Sequence, residues 1–154
     1  MSATLHTIIV GVDGSPAAGR ALTWAAGRGC ETGAELVAVH VLTYSRELAG
    51  DLPPTGLTNW RRTLGHNLNG PWIEPARAAG AKVRTALVED EAPVTGLLAV
   101  AAQEHADLIV LGAHGHGNLA DRILGSTTYR VAHRAAVPVV IIPPDWAQAA
   151  GSGS

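Results

Sequence analysis

The chain has 154 residues, 47% of them hydrophobic, a formal net charge of −2 at pH 7 and one cysteine, Cys30. This length suits one domain with its own core, so we expect a single domain over residues 1–146 and a flexible tail over residues 147–154. Without a basic run, an apolar stretch of ~20 residues or a second cysteine, we expect no nucleic-acid binding, no membrane span, no internal disulfide and a cytoplasmic location.

Five strand-like runs alternate with helix-like stretches along the chain. The predicted strands cover residues 7–12, 35–42, 82–88, 106–111 and 137–142. The first helix begins near Pro16, and its apolar stripe is expected to end at Gly27 and Gly29. Another helix begins at Pro93, and a last one follows Gly125. The alternation predicts an α/β fold, a twisted parallel sheet with helices on both faces.

The connection over residues 44–80 is the least regular part of the chain. It contains several prolines and glycines as well as Trp60 and Trp72. Short helices are predicted over residues 59–68 and 72–79. The segment either covers a ligand or forms an irregular surface connection whose two tryptophans pack on the core.

A glycine-rich segment follows the fourth predicted strand, which is apolar and ends at Gly112. Glycines permit positive φ angles and a close approach of backbone to ligand. The next helix opens with unpaired backbone N–H groups and hydroxyls, a feature that favours phosphate. Open α/β sheets bind ligands at the carboxyl ends of their strands. The segment therefore predicts an anion site, formed by Gly112, Gly115, Gly117, Asn118, Gly125, Ser126, Thr127 and Thr128.

The spacing Gly112-x2-Gly115-x9-Gly125-Ser126 resembles the nucleotide-binding motif of the universal stress protein family. The resemblance extends through the sequence VDGS at residues 12–15 and covers residues 7–142. It implies strand order 3-2-1-4-5 in a Rossmann-like, adenine-nucleotide alpha-hydrolase-like fold. It also implies a nucleotide-dependent stress-response regulator that binds ATP, with or without Mg²⁺, at the carboxyl ends of strands 1 and 4.

The same resemblance implies roles for residues near the first two strands. Asp13 would contact the adenosine part of the nucleotide, Gly11 and Val12 would form the adjoining wall, and Val41 would line the adenine slot. From the residues alone, Asp13 is equally a helix N-cap, although Ser15 is the better candidate for that role. Val41 is equally a core valine.

The last predicted strand, which includes Val139–Ile142, would lie at an edge of this sheet. An exposed apolar edge is a template for pairing with another chain, and the resemblance implies a homodimer formed there. The alternative is a monomer in which Pro143, Pro144 and Trp146 fold back and blunt the edge.

Other functions fit the sequence less well. His114 and His116 lack a third metal ligand at a suitable spacing. The GxGxxA pattern that begins at Gly115 follows the fourth strand rather than the first, which disfavours a dinucleotide-dependent oxidoreductase. No P-loop and no catalytic pair is present, so we expect at most slow ATP hydrolysis. AMP, cyclic AMP, or an interaction module without a nucleotide remain the alternatives.

Two departures from the family pattern bear on a nucleotide. His116 stands where the family often has arginine, so a permanent charge is replaced by one that titrates near neutrality. Glu91 stands where the family usually has glycine, and its charge would oppose a nucleotide if it faced the crevice.

Overall fold

The structure, a computed structural model, describes residues 4–43, 54–114 and 124–147. Its strands are β1 (Thr7–Gly11), β2 (Glu35–Leu42), β3 (Val83–Glu89), β4 (Leu108–Gly112) and β5 (Val139–Ile142). Its helices are α1 (Pro16–Thr32), α2 (Pro54–Asn69), α3 (Glu74–Ala78), α4 (Pro93–Gln103) and α5 (Ser126–Arg134).

The five strands are parallel and lie in the order β3-β2-β1-β4-β5. This order confirms the predicted fold class. Strands β2 and β3 lie on one side of β1 in the sheet, and β4 and β5 lie on its other side. The direction of winding therefore reverses between β1 and β4, where open α/β sheets have their ligand crevice.

The side chains of β1 alternate between two apolar clusters, one on each face of the sheet. Ile8 and Val10 pack with residues of α1, α2 and α3 on one face. Ile9 packs with residues of α4 and α5 on the other face. All three side chains are fully buried, which explains why the strand reads as a continuous apolar run in the sequence.

Helix α1 continues beyond the predicted end at Gly27 and Gly29. It ends at Gly33, which adopts φ +80° and donates its N–H to the carbonyl of Gly29 at 2.8 Å. Gly29 is buried, and a Cβ there would lie 2.7 Å from the side chain of Leu36. The prediction was wrong because this glycine provides space for β2 instead of ending the helix.

The helix expected over residues 59–68 begins five residues earlier than predicted, as Pro54–Asn69, and the helix expected over residues 72–79 is shorter, Glu74–Ala78. The strand ends differ from the prediction by at most two residues. In the part of the chain that the structure describes, no helix is long and apolar enough to cross a membrane.

Charged side chains connect the elements at the amino ends of the strands. Arg84 contacts Glu35 and Glu104, both at 2.6 Å. The hydrogen bond from Arg84 lowers the pKa of the Glu104 carboxyl. Hydrogen bonds from the backbone N–H groups of His6 and Thr7 lower the pKa of the Asp107 carboxyl. These contacts hold the end of the sheet opposite to the crevice.

Candidate functional site

A cavity of about 320 Å³ opens at the carboxyl edge of the sheet, between the ends of β1, β2 and β4 and the first turns of α1, α4 and α5. Its volume lies at the low end of the range of about 300–1,000 Å³ that is common for small-molecule sites. The lining residues are Gly11, Val12, Asp13, Ser15, Ala18, Val39, His40, Val41, Pro93, Leu97, Leu111, Gly112, His114, Gly125, Ser126, Thr127 and Thr128.

Nine of the predicted site residues lie in this lining, and the fold brings them together from both halves of the chain. They are Gly11, Val12, Asp13, Val41, Gly112, Gly125, Ser126, Thr127 and Thr128. The other three, Gly115, Gly117 and Asn118, lie outside the described residues, as does His116.

One wall of the cavity is apolar and is formed by β2, β4 and α4. Val39 and Val41 from β2 stand near Leu97 and Leu111. Val41 also packs on α4, because a Cβ at Gly96 would lie 2.7 Å from its Cγ1 atom. Val41 is therefore both a packed sheet residue and a part of the cavity wall. Val39, which is not among the predicted site residues, lines the cavity as well.

The turn between β1 and α1 is held by side-chain caps. Ser15 is the N-cap of α1, and its Oγ accepts a hydrogen bond from the N–H of Ala18 at 3.2 Å. Asp13 Oδ1 accepts from the N–H of Ser15 at 2.9 Å. The open question about the cap is thus answered in favour of Ser15, while the Asp13 carboxylate supports the turn and lines the cavity. Pro16 has no N–H to offer, so much of the donor capacity at this helix start is used or absent.

The start of α5 is different, because its N-cap is a glycine and no side chain of the described residues caps it. Its N-cap is Gly125, whose own N–H donates to the carbonyl of Ala113 at 2.7 Å. The backbone N–H groups of Ser126, Thr127 and Thr128 have no partner among the described residues. Unpaired donors at the positive end of a helix form an anion-binding site.

The side chain of Thr128 connects the first turn of α5 to the end of β4. It is buried, and its hydroxyl donates a hydrogen bond of 2.8 Å to the carbonyl of Gly112 at the end of β4. Its hydroxyl hydrogen is therefore used within the protein. What Thr128 can offer to an anion is its backbone N–H.

Gly112 is required by packing against α1. A Cβ at this position would lie 2.7 Å from the carbonyl carbon and oxygen of Ala17. Gly112 is not among the glycines with positive φ. The positive φ expected at Gly112 is therefore wrong, and the contact between β4 and α1 is a reason for glycine that the sequence did not indicate.

Several lining residues are not among the predicted site residues, and His40 is one of the polar ones. Its Nδ1 lies 2.7 Å from the carbonyl oxygen of Val12, which can only accept, so Nδ1 carries the hydrogen. Its ring also lies edge-on to Trp72, with 5.3 Å between the ring centroids. The position of His40 at the carboxyl end of β2, next to Val41, is the signal that could have identified it.

The sequence left two questions that the structure addresses: whether the charge of Glu91 faces the crevice, and whether His114 belongs to a metal site. Glu91 is exposed and is not among the residues that line the cavity; its N–H donates to Asp90 Oδ1 at 2.7 Å. His114 lines the cavity. Within the described ranges, no group of three or more His, Cys, Asp or Glu side chains is arranged to hold a metal ion.

Comparison with known proteins relates this chain to one family. The universal stress protein family pattern matches residues 4–143. A universal stress protein of Mycolicibacterium smegmatis is 38% identical over 144 residues, which are 89% of this chain and 45% of that protein. The chain thus spans about half the length of this curated relative.

Solved structures show the same fold. A universal stress protein in complex with cAMP is 28% identical, with a TM-score of 0.68, over 92% of this chain and 98% of that one. A universal stress protein from Archaeoglobus fulgidus in complex with dAMP is 24% identical, with a TM-score of 0.67, over 91% of this chain and 99% of that one.

Proposed function

The chain belongs to the universal stress protein family, and we propose that it binds an adenine nucleotide in the cavity at the carboxyl ends of β1 and β4. The uncapped first turn of α5 is the observation that carries this proposal. Its backbone N–H groups open into a cavity that also has an apolar wall and a carboxylate. A nucleotide needs these three surfaces for its phosphate, base and ribose.

The proposed orientation follows from the chemistry of the lining. Adenine lies against Val39 and Val41, where apolar side chains exclude water. The ribose hydroxyls donate to the carboxylate of Asp13, with Gly11 and Val12 beside them. The phosphates accept from the N–H groups at the start of α5, because the first turn of α1 is already capped by Ser15. On the family motif, Gly115, Gly117 and Asn118 are proposed as further phosphate contacts.

ATP, with or without Mg²⁺, is the ligand that we propose first, on the resemblance of the glycine motif. AMP or cyclic AMP is the second candidate. It is favoured by the relative in complex with cAMP. The two candidates differ in how many phosphates meet α5.

We propose that the bound nucleotide sets the conformation or the partners of a stress-response regulator in the cytoplasm. ATP hydrolysis is expected to be slow at most. We further propose a homodimer through Val139–Ile142. Within the described residues, β5 pairs with β4 alone, so its outer edge is open to a second copy. After β5, the chain turns at Pro143 and places Trp146 against the core cluster that includes α1.

Titration calorimetry tests the nucleotide proposal. Nucleotide-free protein is titrated with ATP, ADP, AMP, cyclic AMP, adenosine and NAD, each with and without Mg²⁺. We expect the adenine nucleotides to bind, Asp13→Asn to weaken them, and the exposed carboxylate variant Asp145→Asn to bind as the wild type does. If no nucleotide binds to the wild type, the proposal is wrong and an interaction module without a nucleotide takes its place.

A further inference from the structure

We propose that Trp72 is a positioning residue of this site. Its indole holds the turn between β1 and α1 in the conformation that presents Asp13, and it does so from outside the cavity, since Trp72 is not among the lining residues. The inference rests on the proposed nucleotide function. It adds a residue from the β2–β3 connection, which the glycine motif does not include.

The first contact is between the indole and Gly14. Gly14 adopts φ +82°, a left-handed conformation that residues with a side chain rarely take. A Cβ on Gly14 would lie 2.7 Å from the Cε2 and Nε1 atoms of Trp72. The indole therefore occupies the space next to the Cα atom of Gly14. The two neighbours of Gly14, Asp13 and Ser15, both line the cavity.

The second contact is between the indole and His40. The two rings meet edge to face, at an interplanar angle of 67°. His40 donates from Nδ1 to the carbonyl of Val12, the residue that precedes Asp13. Asp13 is thus flanked by two supported residues, Gly14 directly under the indole and Val12 through His40. Loss of the indole would remove the contact at Gly14 and leave the His40 ring without its neighbour, while Val12 would keep its hydrogen bonds with His40 and Val39.

The indole is itself held by a well-anchored segment. The N–H of Trp72 donates to the carbonyl of Asn67 at 3.0 Å, which closes the turn after α2. On either side of it, Leu68 and Ile73 are fully buried. A side chain on such a fixed segment can hold its neighbour in place, as a supporting residue of a binding site must.

Trp72→Leu tests the proposal, with Trp24→Leu as the matched control. Trp24 is a half-buried tryptophan of α1 that packs on the same core. By calorimetry, we expect Trp72→Leu to weaken nucleotide binding by about tenfold or more, because the Asp13 carboxylate is then no longer held in position for the ribose hydroxyls. Trp24→Leu should change it by less than about twofold, and Trp72→Phe should recover part of the loss. Thermal unfolding of each variant establishes that the protein measured is folded.

A double-mutant cycle distinguishes positioning from a general structural role. If Trp72 acts through Asp13, the effect of Trp72→Leu should largely disappear in an Asp13→Asn background, because coupled residues give non-additive effects. Losses that simply multiply would overturn the inference, and so would a Trp72→Leu variant that binds as the wild type does. If Trp72→Leu does not fold, the cycle with Trp72→Phe decides in the same way. A wild-type protein that binds no nucleotide would refute the proposed function first, and this inference with it.

Discussion

Replacing Thr128 with valine removes one buried hydrogen bond and keeps the shape of the side chain. The hydroxyl is 2.8 Å from the carbonyl of Gly112, and Thr128 is 5% exposed. After the change, the carbonyl of Gly112 no longer receives this hydrogen bond, and water does not easily replace it because the site is buried. The expected loss of unfolding free energy is about 1–3 kcal/mol.

This loss can be measured by thermal and urea unfolding. For a chain of this size, about 1 kcal/mol corresponds to roughly 2–4 °C, so the melting temperature should fall by about 2–12 °C. With a urea m-value of about 2 kcal/mol/M, the midpoint should fall by about 0.5–1.5 M. Nucleotide binding should weaken as well, because the start of α5 is then less firmly held against β4.

Thr127→Val is the matched control. Thr127 is half-buried, and its hydroxyl has no partner among the described residues. Its replacement should change the unfolding free energy by less than about 0.5 kcal/mol. Equal effects at the two positions, or a Thr128→Val variant as stable as the wild type, would refute the assignment of the Thr128 hydroxyl to the support of α5.

Three further substitutions test the contacts of Gly112, the start of α5, and Asp107 at the opposite end of the sheet. Gly112→Ala should lower the unfolding free energy by about 1–3 kcal/mol, because its Cβ would lie 2.7 Å from the backbone of α1. Gly19→Ala, in α1, should raise the unfolding free energy by up to about 1 kcal/mol, because a Cβ there meets nothing within 4 Å. Urea unfolding that gives the same sign for both variants would contradict this. Gly125→Asp should stabilise the protein by a few tenths of a kcal/mol by capping α5. In calorimetry it should weaken the binding of nucleotides more than the binding of adenosine, since the new carboxylate takes the place of the phosphate. Unchanged nucleotide affinity would argue against a phosphate at this helix start. The pKa of Asp107 is lowered in the folded protein, so its contribution to stability is present above the unfolded pKa of about 3.9 and is lost as pH falls through the lower folded pKa. Asp107→Asn should therefore be less stable than the wild type at pH 7, and the difference should shrink between pH 5 and pH 3. A difference in stability that does not depend on pH would exclude this linkage.

The strands could be predicted because their signals are local, whereas their order was implied by the resemblance to the universal stress protein family. Ile8, Ile9 and Val10 are buried on both faces of the sheet, so β1 is an apolar run that can be recognised without knowledge of its partners. The cap at Ser15 is likewise encoded within a few residues.

The remaining features depend on contacts between distant parts of the chain. Gly29 reads as a helix end, but it is a packing position against Leu36. The hydroxyl of Thr128 reads as a phosphate donor, but it is used by the carbonyl of Gly112. For Trp72 the sequence indicated only a segment that either covers a ligand or packs on the core, because the role proposed for this residue depends on where the β2–β3 connection meets the β1–α1 turn.

We propose above that the N–H groups at the start of α5 bind the phosphate of an adenine nucleotide. The most direct test is a ¹H–¹⁵N correlation spectrum recorded while ATP, AMP or adenosine is added. We expect the Ser126 and Thr127 amide signals to shift with ATP and AMP but not with adenosine, and the signal of Ala18, whose N–H is capped by Ser15, to respond far less. Saturating nucleotide that leaves the Ser126 and Thr127 signals in place would contradict the account.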